Sequence, residues 1–248
     1  MVPHPEAQEP SFEASTIKPD VSGAPTLQAL DASGRTFKTR NSSLADLIGY
    51  AYGMQSTQII GGPAWMNQDR YDVVAVADQG VPDSAHFKKM VQALLVERFG
   101  LQLHPDQRQL SAYVLTAAKN RSKLTPNAPD AHRTDPGFGL YRGPTGLTLH
   151  VRHASMADFV RYLQMVVVDR PVADETELAG KFDFLLTFMP DDSLFRSHPP
   201  VQPDQTEASD AAPGLFTAID EQLGLKLAPE KHSVQVLVVD HVQKPSPN

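Results

Sequence analysis

The stretch Gly34-Arg-Thr-Phe-Lys-Thr-Arg-Asn-Ser-Ser-Leu-Ala-Asp46 recurs 112 positions later as Gly146-Leu-Thr-Leu-His-Val-Arg-His-Ala-Ser-Met-Ala-Asp158. Six of the thirteen aligned positions are identical, whereas average amino-acid usage gives roughly one match by chance. An internal repeat of this kind predicts that the chain is built from two copies of one small unit.

The end of each repeated stretch predicts the start of a helix. Ser43 with Asp46, and Ser155 with Asp158, have the spacing of a capping box, in which a serine caps the helix and a carboxylate three residues later binds the cap's backbone. Apolar residues follow both boxes at helical spacing. A second helix in each copy is predicted to end at Gly100 or Gly224, because glycine readily adopts the left-handed conformation of a C-cap.

We therefore predict an α+β protein made by tandem duplication of a strand-helix-strand-helix-strand unit, giving two lobes related by a pseudo-twofold axis. The alignment of the copies shifts by thirteen residues across a polar, proline-rich stretch, which predicts a surface loop at that point. The predicted divisions are a disordered N-terminus (1–11), lobe 1 (12–118), a linker (119–145) and lobe 2 (146–245) with a mobile loop (190–213).

Composition excludes several classes of function. The 248 residues carry a net charge of −7 and no basic patch interleaved with aromatic residues, which argues against a nucleic-acid partner. No apolar run approaches the length of a membrane span. The absence of cysteine rules out disulfides and thiolate metal sites. We expect no cofactor, and the oligomeric state stays open.

The most tempting catalytic set is His153, Ser155 and Asp158, which are the residue types of a base, a nucleophile and an orienting carboxylate. The repeat favours a structural interpretation, because Ser43 and Asp46 recur at the matching positions while Asn41 replaces the histidine. A helix cap explains both serine–aspartate pairs.

Two further clusters contain residue types that bind metals. His150 and His153 would share a face on a helix, but on the predicted strand they point to opposite faces. The segment Asp174-Glu-Thr-Glu177 contains three carboxylates in four residues, enough for a weak calcium site. A solvated turn explains that segment better, so we predict no metal site.

The copies differ most where Ile59-Ile-Gly-Gly-Pro-Ala-Trp65 in the first is replaced by Asp169-Arg-Pro-Val-Ala-Asp174 in the second. Trp65 follows a rigid turn and lies near Tyr50 and Tyr52 in sequence, so an aromatic recess is one interpretation. The alternative is that Trp65 completes the core of its lobe. We predict Trp65, Tyr50, Tyr52 and Arg170 as the binding residues.

Several segments of the chain resemble a family of soil-bacterial secreted proteins known only as a domain of unknown function. The matching segments are Phe12-Glu-Ala-Ser-Thr-Ile-Lys-Pro19, Ile60-Gly-Gly-Pro-Ala-Trp65, Arg170-Pro-Val-Ala-Asp174 and Val238-Val-Asp-His-Val-Gln-Lys-Pro245. This resemblance implies an exported protein, periplasmic or secreted, whose signal peptide has been removed from this sequence. It supplies no catalytic residues.

Each copy is also similar, at the level of its pattern, to the short N-terminal domains of secretins and outer-membrane receptors, which are docking modules of the periplasm. This similarity raises the expectation of protein–protein contact. We therefore predict an extracytoplasmic, non-enzymatic protein that docks an envelope protein or a peptide, either at a sheet edge or in a cleft between the lobes.

Two other classes stay open. An unrecognised secreted hydrolase would need one of the histidines to meet a serine and a carboxylate; the candidates are His104, His150, His153 and His241. A small-molecule sensor would show an apolar cavity without a nucleophile.

Overall fold

The computed structural model describes residues 11–22, 31–78, 80–117, 122–127, 136–191, 193–195 and 211–246. The chain divides into two compact units, of which unit 1 comprises Met1–Asp106 and Gln235–Asn248 and unit 2 comprises Gln107–Val234. The described residues contain eleven strands and five α-helices. The prediction of a mixed α+β protein is confirmed.

The strands within unit 1 are β1 (Phe12–Pro19), β2 (Asp31–Ser33), β3 (Thr36–Ser42), β4 (Ile59–Gly61) and β5 (Tyr71–Ala77). Two longer strands, which each contain residues of both units, are β6 (Gln102–Ala117) and β11 (Leu225–His241). The strands within unit 2 are β7 (Gly137–Gly143), β8 (Gly146–Ala154), β9 (Val172–Glu175) and β10 (Phe182–Phe188).

The helices of unit 1 are α1 (Leu44–Tyr52), α2 (Trp65–Gln68) and α3 (Ser84–Phe99), with a 3-10 turn at Ser56–Gln58. Those of unit 2 are α4 (Met156–Tyr162) and α5 (Leu215–Ala218). Each helix of unit 2 continues into a π-helical turn, at Leu163–Val167 and at Ile219–Leu223 respectively. Across the described ranges, no helix combines the length and the apolar character that a membrane crossing requires.

The main sheet of unit 1 has the strand order β1-β5-β3-β2, with antiparallel neighbours throughout. Strand β5 alternates as its sequence predicts, since Val73 and Ala75 are buried while Val74 is exposed. Helices α1 and α3 pack on the buried face, where Phe37, Ile48 and other apolar side chains form one core. Strand β1 is an edge of this sheet.

Unit 2 has a smaller antiparallel sheet of order β10-β8-β7. Its buried face carries Leu149, Val151 and Leu186, which share a core with α4 and α5. The opposite face leaves Leu185 and Tyr141 exposed, at 58% and 54% of their surface. The same strand alternation therefore buries one face of this sheet as well.

The third sheet has the order β4-β11-β6-β9. Within unit 1, β4 runs parallel to the Leu237–Val239 part of β11. Within unit 2, β9 runs parallel to the Tyr113–Thr116 part of β6. Each short strand is thus paired with a long strand of its own unit.

The predicted helix ends are confirmed. Gly100 follows α3 with φ of 58°, and Gly224 follows the π-helical turn after α5 with φ of 67°. Both values lie in the left-handed region, where a side chain with a Cβ is strained.

The predicted divisions of the chain can be set beside the observed elements. The range predicted as a linker, 119–145, contains strand β7, whose backbone is satisfied by pairing with β8. The two units also exchange strand segments relative to the predicted lobes 12–118 and 146–245, because β6 and β11 are each long enough to enter both units. Almost all of the predicted N-terminal segment and most of the loop 190–213 lie outside the described residues.

Candidate functional site

The serine–aspartate pairs of the repeat are helix caps in both units. In unit 1, the Asp46 N–H donates to Ser43 Oγ at 3.1 Å and the Ser43 N–H donates to Asp46 Oδ2 at 2.9 Å. In unit 2, the Asp158 N–H donates to Ser155 Oγ at 3.1 Å and the Ser155 N–H donates to Asp158 Oδ2 at 3.0 Å. The predicted capping boxes are confirmed.

The residue two before each cap has a left-handed backbone. Asn41 has φ of 49° and His153 has φ of 50°. The N–H of each donates to a carboxylate of its own unit, Asn41 to Asp72 at 3.0 Å and His153 to Asp183 at 2.6 Å. Asparagine tolerates this conformation well, so the backbone demand is the same at both sites and the imidazole of His153 is not needed for it.

The cap of α4 is also an electrostatic site. Burial acts to raise the pKa of Asp158, but hydrogen bonds from Ser155 and Lys181 outweigh it, so the pKa lies below its ordinary value. The ammonium of Lys181 lies 3.1 Å from Asp158 Oδ2. A carboxylate held ionised by a cap and a cation has a structural part in the fold.

Three of the four predicted binding residues lie in unit 1. Tyr50, Tyr52 and Trp65 are half-buried and pack against the core of that unit. The ring of Tyr50 lies 5.2 Å from that of Phe37, and burial raises the pKa of both Tyr50 and Tyr52. The structure therefore gives these aromatic rings a packing role while each keeps part of its surface accessible.

Trp65 begins α2 after an exposed turn, Gly62 to Ala64. The ammonium of Lys244 lies 5.9 Å from the centre of its ring and 2.8 Å from Asp69 Oδ2. This cation lies within range of a cation–π contact. It also links the ring to the segment that follows β11.

Arg170, the fourth predicted residue, lies in unit 2. Its guanidinium makes a two-point contact with Asp169, at 2.9 and 2.8 Å, and Nη1 donates to Ser111 Oγ at 3.2 Å. The carbon at its centre lies 4.9 Å from the centre of the Tyr113 ring. These contacts engage Arg170 within its own unit, and no printed contact joins it to the three aromatic residues of unit 1.

One predicted catalytic candidate does meet a carboxylate. His104 Nδ1 lies 2.8 Å from Asp240 Oδ1, an arrangement that orients an imidazole. Both side chains are about half exposed. In the described part of the chain no hydrogen bond joins this imidazole to a serine, so the pair lacks the nucleophile that a hydrolase needs.

The predicted absence of a metal site was argued from His150, His153 and the segment Asp174–Glu177. The described residues contain no group of three or more histidines and carboxylates arranged to hold a metal ion. Asp174 instead accepts hydrogen bonds from the N–H and the hydroxyl of Thr176, at 3.0 and 2.7 Å, as in an Asx turn. The ring of His150 packs 4.6 Å from that of Tyr141.

A cavity of about 360 Å³ lies in unit 1 between β1 and α3. Strand β1 contributes Phe12 and Ser15, and α3 contributes Met90 and Leu94. Ser246 lines the cavity from the segment after β11. Sequence reasoning missed this site, because its walls come from three segments that are far apart in the chain.

Arg98 fixes the geometry of the cavity. This residue is only 6% exposed, and its Nη1 donates to Ser15 Oγ at 3.1 Å. Its Nη2 donates to Ser246 O at 2.8 Å, and Nε donates to Ser246 Oγ at 3.1 Å. A single guanidinium thus joins α3 to the edge strand and to the segment after β11.

The pairing of β1 determines which of its backbone groups point outward. Strands β1 and β5 keep one antiparallel register from residue 14 to residue 19, and the next pair is joined by the Asp20 N–H donating to Arg70 O at 2.8 Å. Hydrogen-bonded pairs alternate along antiparallel strands, so the backbone groups of Ala14, Thr16 and Lys18 face β5. The N–H of Ser15, beside the cavity, faces away from β5.

The fold and this site define a mixed α+β protein with an edge strand beside a cavity. The chain belongs to the family described as protein of unknown function (DUF3738), whose model matches residues 45–242. Comparison with curated proteins and with solved structures gives no significant match.

Proposed function

We propose that this protein binds an extended segment of a protein or peptide partner, which adds as a strand to β1. The observation that carries the proposal is the outward-facing backbone of Ser15 next to a cavity of about 360 Å³. In strand addition, main-chain hydrogen bonds supply affinity and a side-chain pocket supplies specificity. Both elements meet at this edge.

The size of the cavity supports this function. Its volume lies near the lower end of the range typical of ligand pockets, so it suits one or two side chains of a peptide. Met90 and Leu94 are buried and apolar, which favours the aliphatic part of such a side chain. The backbone of the partner would run along β1 and place alternate side chains toward α3.

Arg98 supports the proposal by making the edge rigid. A strand that accepts a partner gains affinity when it is already held in its bound conformation. The contacts of Arg98 with Ser15 and Ser246 hold β1, α3 and the segment after β11 together before any partner arrives.

The tandem duplication belongs to the same proposal. Matching capping boxes, matching left-handed residues before them and matching glycine C-caps in the two units support descent from one duplicated module. Similarity of that module to the docking domains of secretins and outer-membrane receptors is the basis for proposing an envelope partner. The resemblance to secreted proteins is the basis for proposing action outside the cytoplasm.

The predicted binding residues Trp65, Tyr50, Tyr52 and Arg170 are proposed as additional contacts of the partner. Their half-burial supports this role, because aromatic rings and arginine that keep accessible surface are the residue types enriched at interfaces. The cleft between lobes is kept as a prediction.

The proposal is tested by selection from a displayed library of random heptapeptides against the immobilised full chain. We expect enrichment of peptides that alternate β-branched with other residues, because such peptides favour an extended conformation. The variant Ala93→Phe introduces a large side chain into the cavity wall and should abolish the enrichment. The matched control Val96→Phe changes an exposed residue of the same helix that does not line the cavity, and should retain it. Equal enrichment by both variants would place the binding elsewhere.

A further inference from the structure

The accessible charge at the cavity is negative. Glu13 and Glu97 both line it, from β1 and α3 respectively, and both are exposed. The cation that lines it, Arg98, is 6% exposed and directs its guanidinium to Ser15 and Ser246. An entering side chain therefore meets two carboxylates before it meets the guanidinium.

Glu13 is placed at the cavity by an irregularity in its strand. The register of β1 against β5 shifts between Phe12 and Ala14, so Glu13 is the extra residue of a β-bulge. Bulges in edge strands redirect a side chain relative to the regular alternation. Glu13 is thus displaced from the alternation that the rest of β1 follows.

The local cation near Glu13 neutralises it only in part. Arg35 Nη2 lies 3.5 Å from Glu13 Oε1, while the same guanidinium donates to the Ala77 and Asp78 carbonyl oxygens at 2.5 and 2.8 Å. Both partners of this ion pair are 45% exposed, so solvent screens it. Within the described residues, Glu97 forms no ion pair.

We propose that the strand-adding partner carries a lysine or arginine whose cationic end binds between Glu13 and Glu97. The inference rests on the proposed function, because the backbone of the partner on β1 is what brings this side chain to the cavity. Its aliphatic stem would lie along Met90 and Leu94, and its charge would remain near the carboxylates at the exposed rim. Long basic side chains are suited to this arrangement, since they bury the stem and keep the charged end in water.

The test repeats the heptapeptide selection with three forms of the full chain. These forms are the wild type, the double variant Glu13→Gln/Glu97→Gln, and the double variant Glu221→Gln/Glu230→Gln, which removes two exposed carboxylates from unit 2. The two variants have the same net charge, so they separate a local carboxylate effect from attraction by the overall charge of −7.

We expect one position of the selected peptides to be enriched in lysine or arginine with the wild type and with the unit 2 variant. The site variant should lose that enrichment while still selecting β-branched residues. For one selected peptide, replacing its basic residue with methionine should weaken binding to the wild type by roughly fivefold, and binding to the site variant by less than about twofold.

The possible failures are distinguishable. Selection of extended peptides without a basic preference would overturn this inference and leave the proposed function standing. A basic preference that persists in the site variant would overturn the inference as well, because it would come from the overall charge. Absence of enrichment that depends on the cavity would overturn the proposed function, and the inference with it.

Discussion

Arg98 Nη1 donates a hydrogen bond to Ser15 Oγ at 3.1 Å, joining α3 to an edge strand that is 83 positions away in sequence. The same guanidinium binds Ser246 through Nε and Nη2. This relationship defines one wall of the cavity, and it explains why a buried cation stands in an otherwise apolar part of α3.

Replacing Arg98 with methionine should destabilise the protein by about 2 kcal/mol. The methionine keeps much of the apolar stem, but the oxygens of Ser15 and Ser246 lose their donors. Arg98→Lys should recover only part of this loss, since an ammonium lacks the planar fork that reaches both serines. Urea denaturation measures both changes, and a midpoint of Arg98→Met equal to that of the wild type would contradict the structural part assigned to the guanidinium.

The two helix caps should contribute similarly and independently. Ser43→Ala and Ser155→Ala each remove the side-chain acceptor of a capping box, at an expected cost of about 1 kcal/mol. The sites belong to different units, so the double variant should lose close to the sum. Thermal or urea unfolding checks this. Retention of full stability by Ser155→Ala would revive the interpretation of Ser155 as a functional rather than a capping residue.

The charge of Asp158 should make stability depend on pH. Its pKa is lowered in the folded state, chiefly by the Ser155 hydrogen bonds and by Lys181 acting against burial. The stabilisation is therefore present above the ordinary aspartate pKa of about 3.9 and is lost as pH falls through the lower folded value.

Asp158→Asn should accordingly cost about 1 kcal/mol at neutral pH. The difference from the wild type should shrink below about pH 3, where the native carboxylate is also protonated. Unfolding free energies measured across this range check the sign. The exposed Glu230→Gln variant serves as a control, and a difference that grows toward acid pH would contradict the assignment.

The local structure was predictable from the sequence because it depends on neighbouring residues. The boxes at Ser43 and Ser155 and the cap at Gly100 follow from backbone chemistry within a few positions. The apolar face of α3 also follows from helical spacing, and its members Phe87, Val91 and Leu95 are buried.

The candidate site was not predictable in this way. Whether β1 is an edge or a central strand depends on its partners in the sheet, and no local pattern within Phe12–Pro19 records that. The helical pattern also gave Arg98 no special standing, because its partners Ser15 and Ser246 lie in distant segments. Conversely, Trp65 stood out in sequence as the single tryptophan, although the structure gives it a largely packing environment.

The central claim, strand addition at β1, is tested most directly by comparing Ser15→Pro with Ser15→Ala for binding of one selected peptide by fluorescence anisotropy. Both variants lose the hydroxyl that binds Arg98, but only proline removes the outward N–H, and it does so without deleting a bond of the β1–β5 ladder. Equal urea midpoints of the two variants would verify that the fold is retained. We predict binding roughly tenfold weaker for Ser15→Pro than for Ser15→Ala. Equal affinity of the two folded variants would contradict strand addition at this edge.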